Sequence, residues 1–236
     1  MCETKMLKIG LLGGMAWPST LEYYRIINET INLSLGGTHS AEILLDSLDM
    51  AVIEAMQQQE KWDELGAYLR YHADVFLREV DFILICSNTM HKVAETLEAD
   101  GHEILHIADT VGTAIQNAGL KKVGLLGTRF TMKETFYRER LAQMGIETVI
   151  PSDEACQEID RIIFEELCRN EILGSSKMYF LAVISDLVRK QGVEGIILGC
   201  TEIPLLVMQG DTDIPLFNTL ECHATAAAEQ AISQYV

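Results

Sequence analysis

Two cysteines carry the first chemical signal in this chain. Cys86 and Cys200 each end an apolar, strand-like run, and each is followed at once by hydroxyl, amide or carboxylate side chains, Ser87-Asn-Thr89 in one case and Thr201-Glu202 in the other. A thiolate is a base and a nucleophile, a thiol is an acid, and the surroundings decide which form is present. Two such groups facing one carbon can remove a proton from one side and deliver another to the opposite side. Taken singly, a cysteine at the end of a buried strand is more often a small apolar packing residue. The pairing favours chemistry, because matched thiols with matched polar neighbours have no evident packing purpose.

The elements that must position them repeat. Lys8-Ile-Gly-Leu-Leu-Gly13 reappears as Lys122-Val-Gly-Leu-Leu-Gly127, an offset of 114 residues, and the same 114 residues separate Cys86 from Cys200. Tyr23-Tyr-Arg25 is echoed by Phe136-Tyr-Arg138 with a slip of one residue. A spacing shared by two independent segments points to duplication of one α/β unit. Two such halves facing each other about a pseudo-twofold axis would put equivalent positions on opposite walls of a cleft. Each cysteine would lie at the carboxyl end of its strand, where open α/β sheets bind ligands. The polar residues after it read as helix N-caps, so free backbone N–H groups and a positive helix end would hold a carboxylate. The same setting is expected to lower the thiol pKa and make it a usable base.

Along the chain, β-rich apolar runs alternate with stretches of helical period, which predicts an α/β fold with mainly parallel strands. Strands are expected at residues 7–12, 42–47, 82–86, 104–106, 123–127, 148–150, 196–199 and 214–217. Helices are expected at 20–35, 52–79, 90–99, 109–118, 133–144, 153–168, 176–191 and 219–234.

Composition narrows the functional classes. The chain has 236 residues, 48% of them hydrophobic, ample for a sizeable core. No apolar run is long enough to span a bilayer and the start lacks a cleavage-site pattern, so a cytoplasmic protein is expected. The six cysteines, at positions 2, 86, 156, 168, 200 and 222, are irregularly spaced and read as free thiols. Cys156, Cys168 and Cys222 fall in helical stretches and Cys2 in a frayed terminus, so these four read as packing or surface residues. Without a CxxC or histidines at ligand spacing, neither a metal site nor a dithiol redox centre has support. Eighteen Lys and Arg against 35 Asp and Glu give a formal charge of −17, which repels nucleic acid and anionic membranes. That field also repels a dicarboxylic acid, so a site for one must supply its own local donors.

Four motifs in order, Gly10-Leu-Leu-Gly-Gly-Met15 with Trp17 and Ser19-Thr20, Cys86-Ser-Asn-Thr-Met-His91, Leu126-Gly-Thr-Arg-Phe-Thr131 and Gly199-Cys-Thr-Glu-Ile203, resemble the aspartate/glutamate racemase family. The resemblance runs from about Lys8 to the last helix and is closest to the bacterial racemases that accept both acids. It implies a cofactor-independent, pyridoxal-free reaction with two bases. One cysteine, as thiolate, takes the Cα proton from one face; the other, as thiol, delivers a proton to the opposite face, and the roles reverse for the other enantiomer. It also implies a homodimer and a terminal helix that crosses back to the first half. The expected domains are therefore residues 1–104 with 216–236, and residues 105–215.

General acid/base catalysis contributes only about 10²–10⁴-fold, so further donors must stabilise the charge developing on the substrate's α-carboxylate. Candidates are Ser87, Asn88 and Thr89, mirrored by Thr201, with Thr128 at the second glycine turn and Met15 shaping the first. Each has a plainer reading: Ser, Asn and Thr cap helices without any ligand, and Met15 packs. Where some aspartate racemases hold the distal carboxylate with basic residues, this chain reads Asp46-Ser-Leu-Asp49 and Glu165-Glu-Leu-Cys168. Gln57 is a neutral substitute donor, with Arg129 and Arg169 as fallback cations. Aspartate, glutamate and a less acidic analogue all stay open.

His91 either tunes Cys86 or caps a helix start. Glu202 either orients a base or complements a helix dipole. Gly13 and Gly14 match neither the dinucleotide fingerprint nor a phosphate loop, and read as letting the backbone approach the substrate. Competing classes are a maleate-isomerase-like or hydantoin-racemase-like enzyme, a cysteine hydrolase passing through an acyl intermediate, and a non-catalytic amino-acid-binding protein.

Overall fold

The computed structural model describes residues 5–76 and 78–235, so Cys2 lies outside the described residues. In chain order the elements begin β1 (Ile9–Gly13), α1 (Trp17–Leu35), β2 (Ile43–Ser47), α2 (Met50–Gln58), α3 (Trp62–Asp74), β3 (Phe82–Ile85), α4 (Ala94–Ala99) and α5 (Ile107–Asn117). They continue β4 (Lys122–Gly127), α6 (Arg129–Lys133), α7 (Thr135–Gln143), β5 (Glu147–Val149), α8 (Asp153–Glu165), α9 (Gly174–Asp186), β6 (Gly195–Gly199), β7 (Leu216–Asn218) and α10 (Thr219–Ile232). Two compact units result, Met1–Ile107 with Leu220–Val236, and Ala108–Thr219. Each is α/β with a parallel sheet, as the alternation of periods predicts.

In the first unit the sheet order is β2-β1-β3, all parallel. The two-residue period of a strand sorts its side chains. Ile9, Leu11, Phe82, Leu84 and Cys86 pack with Tyr23, Ile27 and Ile31 of α1 and with the alanines Ala224, Ala227, Ala228 and Ala231 of α10. Leu12, Ile83 and Ile85 turn the other way, against Ile53, Leu65, Leu69 and Leu97. Tyr23, Ile27 and Ile31 are four apart, one stripe of a helix. Small side chains on α10 let it lie close to the sheet, and the Leu7 N–H donates to the Ala231 carbonyl at 2.9 Å.

The second unit orders its parallel strands β5-β4-β6-β7. β6 is buried along its whole length and β4 along all but Lys122, as expected of parallel strands covered on both faces. α8 buries Cys156, Ile159, Ile162 and Ile163, and α9 buries Phe180 and Ile184. The repeat survives as topology but not as pairing. Leu12 pairs with Ile85, whereas Leu126, its counterpart 114 residues on, pairs with Leu198 rather than Gly199.

Six expected elements need correction. The strand at 104–106 is a single bridge from Ile83 to Ile104, because the next carbonyl, that of Leu105, accepts the His223 Nε2–H at 2.7 Å and the chain then enters α5. The helix at 52–79 is two helices, broken at Glu60, whose φ of 56° is left-handed; the stretch Gln57-Gln-Gln-Glu60 has no Gly or Pro to announce it. The helix at 133–144 starts only at Thr135, since Glu134 is extended. The helices at 90–99, 153–168 and 176–191 each include a turn of another pitch: 3₁₀ turns at Thr89–Val93 and Leu167–Arg169 and a π turn at Leu187–Gln191. Among the described residues no helix is long and apolar enough to cross a membrane.

Candidate active site

Cys86 follows β3 directly. Its N–H donates to the Leu12 carbonyl at 2.9 Å, continuing the ladder to β1, and the Ser87 N–H turns back to Ile85 at 2.8 Å. The thiol is completely buried. Ser87 Oγ accepts the Met90 N–H at 3.4 Å, and Asn88 and Thr89 are buried at the start of the 3₁₀ turn. Cys86, Ser87, Asn88 and Thr89 are thus presented together by one tight turn.

His91 ties that turn to the start of α5. Its Nδ1 lies 2.7 Å from the Ser87 carbonyl and its Nε2 accepts the Ile107 N–H at 3.2 Å. A carbonyl needs a donor and an N–H needs an acceptor, so both contacts require the neutral Nδ1–H tautomer. The His106 and His223 rings stand 4.5 and 5.6 Å away, edge to face. His223 has the opposite tautomer, donating Nε2–H to Leu105 and accepting the Tyr23 hydroxyl at Nδ1, 2.9 Å away. Its complete burial pushes its pKa down to about 4.

Met15 and Gln57 belong to the same unit. Met15 is buried with Leu48 and Met90, and the Gln57 amide donates to the Met90 sulfur at 3.2 Å. Gly13 and Gly14 serve chain packing, contrary to the expectation that they admit a substrate. A Cβ on Gly13 would meet Thr20, and one on Gly14 would come within 2.1 Å of the Leu48 carbonyl oxygen. The Gly14 N–H donates to Thr20 Oγ1 at 2.8 Å. Asp46, in the stretch without basic residues, has one supplied by α3: His72 Nδ1 stands 2.7 Å from its carboxylate.

In the second unit Cys200 follows β6 and is 8% exposed. Its Sγ–H donates to Glu202 Oε2 at 2.9 Å, and the Thr201 hydroxyl donates to the same oxygen at 2.8 Å. Thr128 stands one step beyond the pair Gly127–Gly199 at the end of β4, and its hydroxyl accepts the Thr131 N–H at 3.4 Å. Arg129 lies exposed with its guanidinium over the Phe130 ring, and Arg169 is also exposed. Glu166, in the other stretch without basic residues, is buried and held by Arg161 at 2.9 Å and by the Ser176 hydroxyl.

The helix starts expected behind the thiols are unequal: the 3₁₀ turn Thr89–Val93 after Cys86 runs directly into α4, whereas Cys200 is followed only by the short 3₁₀ turn Ile203–Leu205. Contrary to the expectation, the thiol pKa values move up, because burial dominates both. Burial alone raises Cys86; at Cys200 burial is joined by the Glu202 carboxylate and the nearby Cys168 thiol. Both groups are thiols in this state. His91 and Glu202, left outside the catalytic pair on sequence, turn out to be bonded to the turn of one cysteine and to the thiol of the other. Their sequence signal was proximity alone, which a helix-starting His or Glu also gives.

Of the remaining described cysteines, Cys156 is buried, Cys168 exposed and Cys222 half-buried with its pKa pushed up to about 11. Among the described residues no group of three or more His, Cys, Asp or Glu side chains is arranged to hold a metal ion.

Comparison with known proteins adds to this geometry. The family described as Asp/Glu/Hydantoin racemase matches residues 12–227. A solved structure of a candidate Asp/Glu racemase from Yersinia pestis is 45% identical, with a TM-score of 0.90 over 96% of this chain and 100% of that one. An aspartate racemase homologue from Pyrococcus horikoshii OT3 is 34% identical, with a TM-score of 0.83 over 96% and 99%. A glutamate racemase from Hydrogenobaculum sp. is 28% identical over 72% of this chain and 62% of its own length.

Proposed function

Because the chain belongs to the Asp/Glu/hydantoin racemase family, a family of isomerases, we propose that it racemises an acidic amino acid, aspartate or glutamate, without a cofactor and with Cys86 and Cys200 as opposed acid and base. One observation supports this above others. In each unit a buried cysteine closes the strand beside the one bearing the repeated glycine-ended segment, Cys86 beside β1 and Cys200 beside β4. Inversion at a carbon needs one group on each face.

In the reaction the thiolate takes the Cα proton, so the C–H bond breaks and an S–H bond forms. The electron pair spreads into the α-carboxylate. The opposite thiol gives up its proton, forming the new C–H bond and leaving a thiolate. Donors from Ser87, Asn88, Thr89, Thr128 and Thr201 stabilise the carboxylate as charge builds on it, while Met15 and Gln57 shape the pocket. Burial, which keeps both thiols protonated, also makes a thiolate a stronger base once formed. The assembly is a homodimer, which light scattering reads directly.

A cysteine hydrolase is disfavoured by His91, whose two ring nitrogens are committed to Ser87 and Ile107 and have no lone pair for Cys86. The test is Cα–H exchange in deuterated water, with each enantiomer of aspartate and glutamate, for the wild type, Cys86→Ser and Cys200→Ser. Racemisation disappears in both variants, and each retains at most exchange of one enantiomer. Full turnover in either variant removes the two-base reading.

A further inference from the structure

The two thiols are not equivalent. Cys200 donates its proton to Glu202 Oε2 at 2.9 Å, and that oxygen also receives the Thr201 hydroxyl at 2.8 Å, so thiol and hydroxyl converge on one carboxylate oxygen within three residues. Among the described residues no carboxylate is bonded to Cys86 in this way. That thiol packs with Leu84, Tyr23 and Leu220, and the polar groups around it are already paired: Tyr23 gives its hydroxyl proton to His223, and His91 is held neutral by Ser87 and Ile107.

We infer that Glu202 is a positioning residue that keeps the proton on Cys200, so that the resting enzyme presents Cys86 as the base and Cys200 as the acid. This rests on the two-thiol reading above. The physical cause is charge: a thiolate at Cys200 would stand in hydrogen-bond range of a carboxylate, and two like charges at that distance repel strongly in a poorly solvated site. Facing Cys200, the Glu202 carboxylate and the Cys168 thiol oppose ionisation there and outweigh the Glu202 N–H, whose hydrogen bond favours it. Only burial opposes it at Cys86.

A turnover from this state is balanced. Cys86 first loses its proton to water as substrate binds, then takes the Cα proton and becomes a thiol again. Cys200 passes its S–H proton to the opposite face of the carbon and is left as a thiolate beside Glu202. That thiolate recovers a proton from water while Cys86 releases one, which resets the pair. Mirror-image substrates have equal energy in water, so kcat/KM is equal in the two directions whatever the asymmetry. The asymmetry therefore has to be read from the thiols.

The experiment titrates each cysteine separately, by following iodoacetamide labelling of the Cys86 and Cys200 peptides against pH by mass spectrometry. The midpoint of each profile is compared, since burial changes absolute rates. In the wild type Cys86 has the lower midpoint. Glu202→Gln keeps size and hydrogen bonding but removes the charge; it lowers the Cys200 midpoint enough to raise labelling at least about tenfold at a fixed pH below it, and leaves Cys86 unmoved. Glu202→Asp, which keeps the charge, and Cys168→Ser, which removes the weaker neighbour, shift Cys200 less. The difference in thiolate ultraviolet absorbance between Cys86→Ser and Cys86→Ser/Cys200→Ser, taken with and without Glu202→Gln so that the other thiols cancel, gives the same Cys200 midpoint without reagent access. A Cys200 midpoint indifferent to Glu202, or lower than that of Cys86 in the wild type, overturns the inference while the serine variants still test the two-thiol reading. Full turnover retained in either serine variant overturns that reading instead.

Discussion

Acid stability should hinge on His223. The ring is completely buried between α1 and the Leu105 segment, donating to the Leu105 carbonyl and accepting from Tyr23, so no lone pair or space is left for a second proton. Its pKa falls from the ordinary 6.5 to about 4. Above pH 6.5 both folded and unfolded chains carry a neutral His223, and its contribution to stability is complete. As the pH falls from 6.5 towards 4 the unfolded chain binds a proton that the folded chain refuses, so stability is lost across that window. At 1.36 kcal/mol per pH unit the loss through this one residue is about 2 kcal/mol at pH 5 and about 3 kcal/mol by pH 4. Carboxylates titrate in the same range, so the measurement compares the wild type with His223→Gln in urea at pH 7.5 and pH 5. Glutamine keeps a donor for Leu105 but leaves the Tyr23 hydroxyl without its acceptor, which costs about 1–3 kcal/mol at pH 7.5. At pH 5 the wild type has lost its proton-linked share and the variant has none to lose, so the gap between them narrows by about 2 kcal/mol. A gap of the same size at both pH values refutes the reasoning.

Other consequences follow from the turn and the glycines. His91→Leu removes the hydrogen bonds that His91 makes to the Ser87 carbonyl and the Ile107 N–H, at about 1–3 kcal/mol for each, and loosens the turn that holds Cys86. Kinetics should show kcat falling further than KM rises, with partial recovery in His91→Asn; wild-type stability and kcat in His91→Leu would show that the clamp is idle. Gly14→Ala, at φ 85° and with its Cβ forced to 2.1 Å from the Leu48 oxygen, should lower stability by more than about 2 kcal/mol. Gly192→Ala, left-handed at φ 67° and ψ 35° but with open space around it, should lower it by only about 1 kcal/mol. Thermal unfolding of the two glycine variants side by side checks the difference, and equal losses would mean the Leu48 contact is not what restricts Gly14.

The order of strands and helices, the parallel sheets and the buried position of both cysteines follow from local periodicity: a run such as Phe82-Ile-Leu-Ile85 has no soluble alternative to a covered strand. The 114-residue repeat likewise exposed a doubled topology, since strands and their glycine turns resist insertion. What periodicity does not carry is anything set by partners distant in sequence. The break at Glu60 and the lone bridge at Ile104 lie where local propensity is neutral, and the latter depends on His223, 118 positions from the Leu105 carbonyl it binds. The expected fall in thiol pKa failed for the same reason. A polar tripeptide after a strand looks like a helix cap on paper, whereas solvent exclusion around Cys86 and a carboxylate folded back onto Cys200 exist only once the chain has packed. Residue types fixed which atoms can exchange protons; desolvation and charge proximity, which only tertiary structure creates, decide which of them holds the proton.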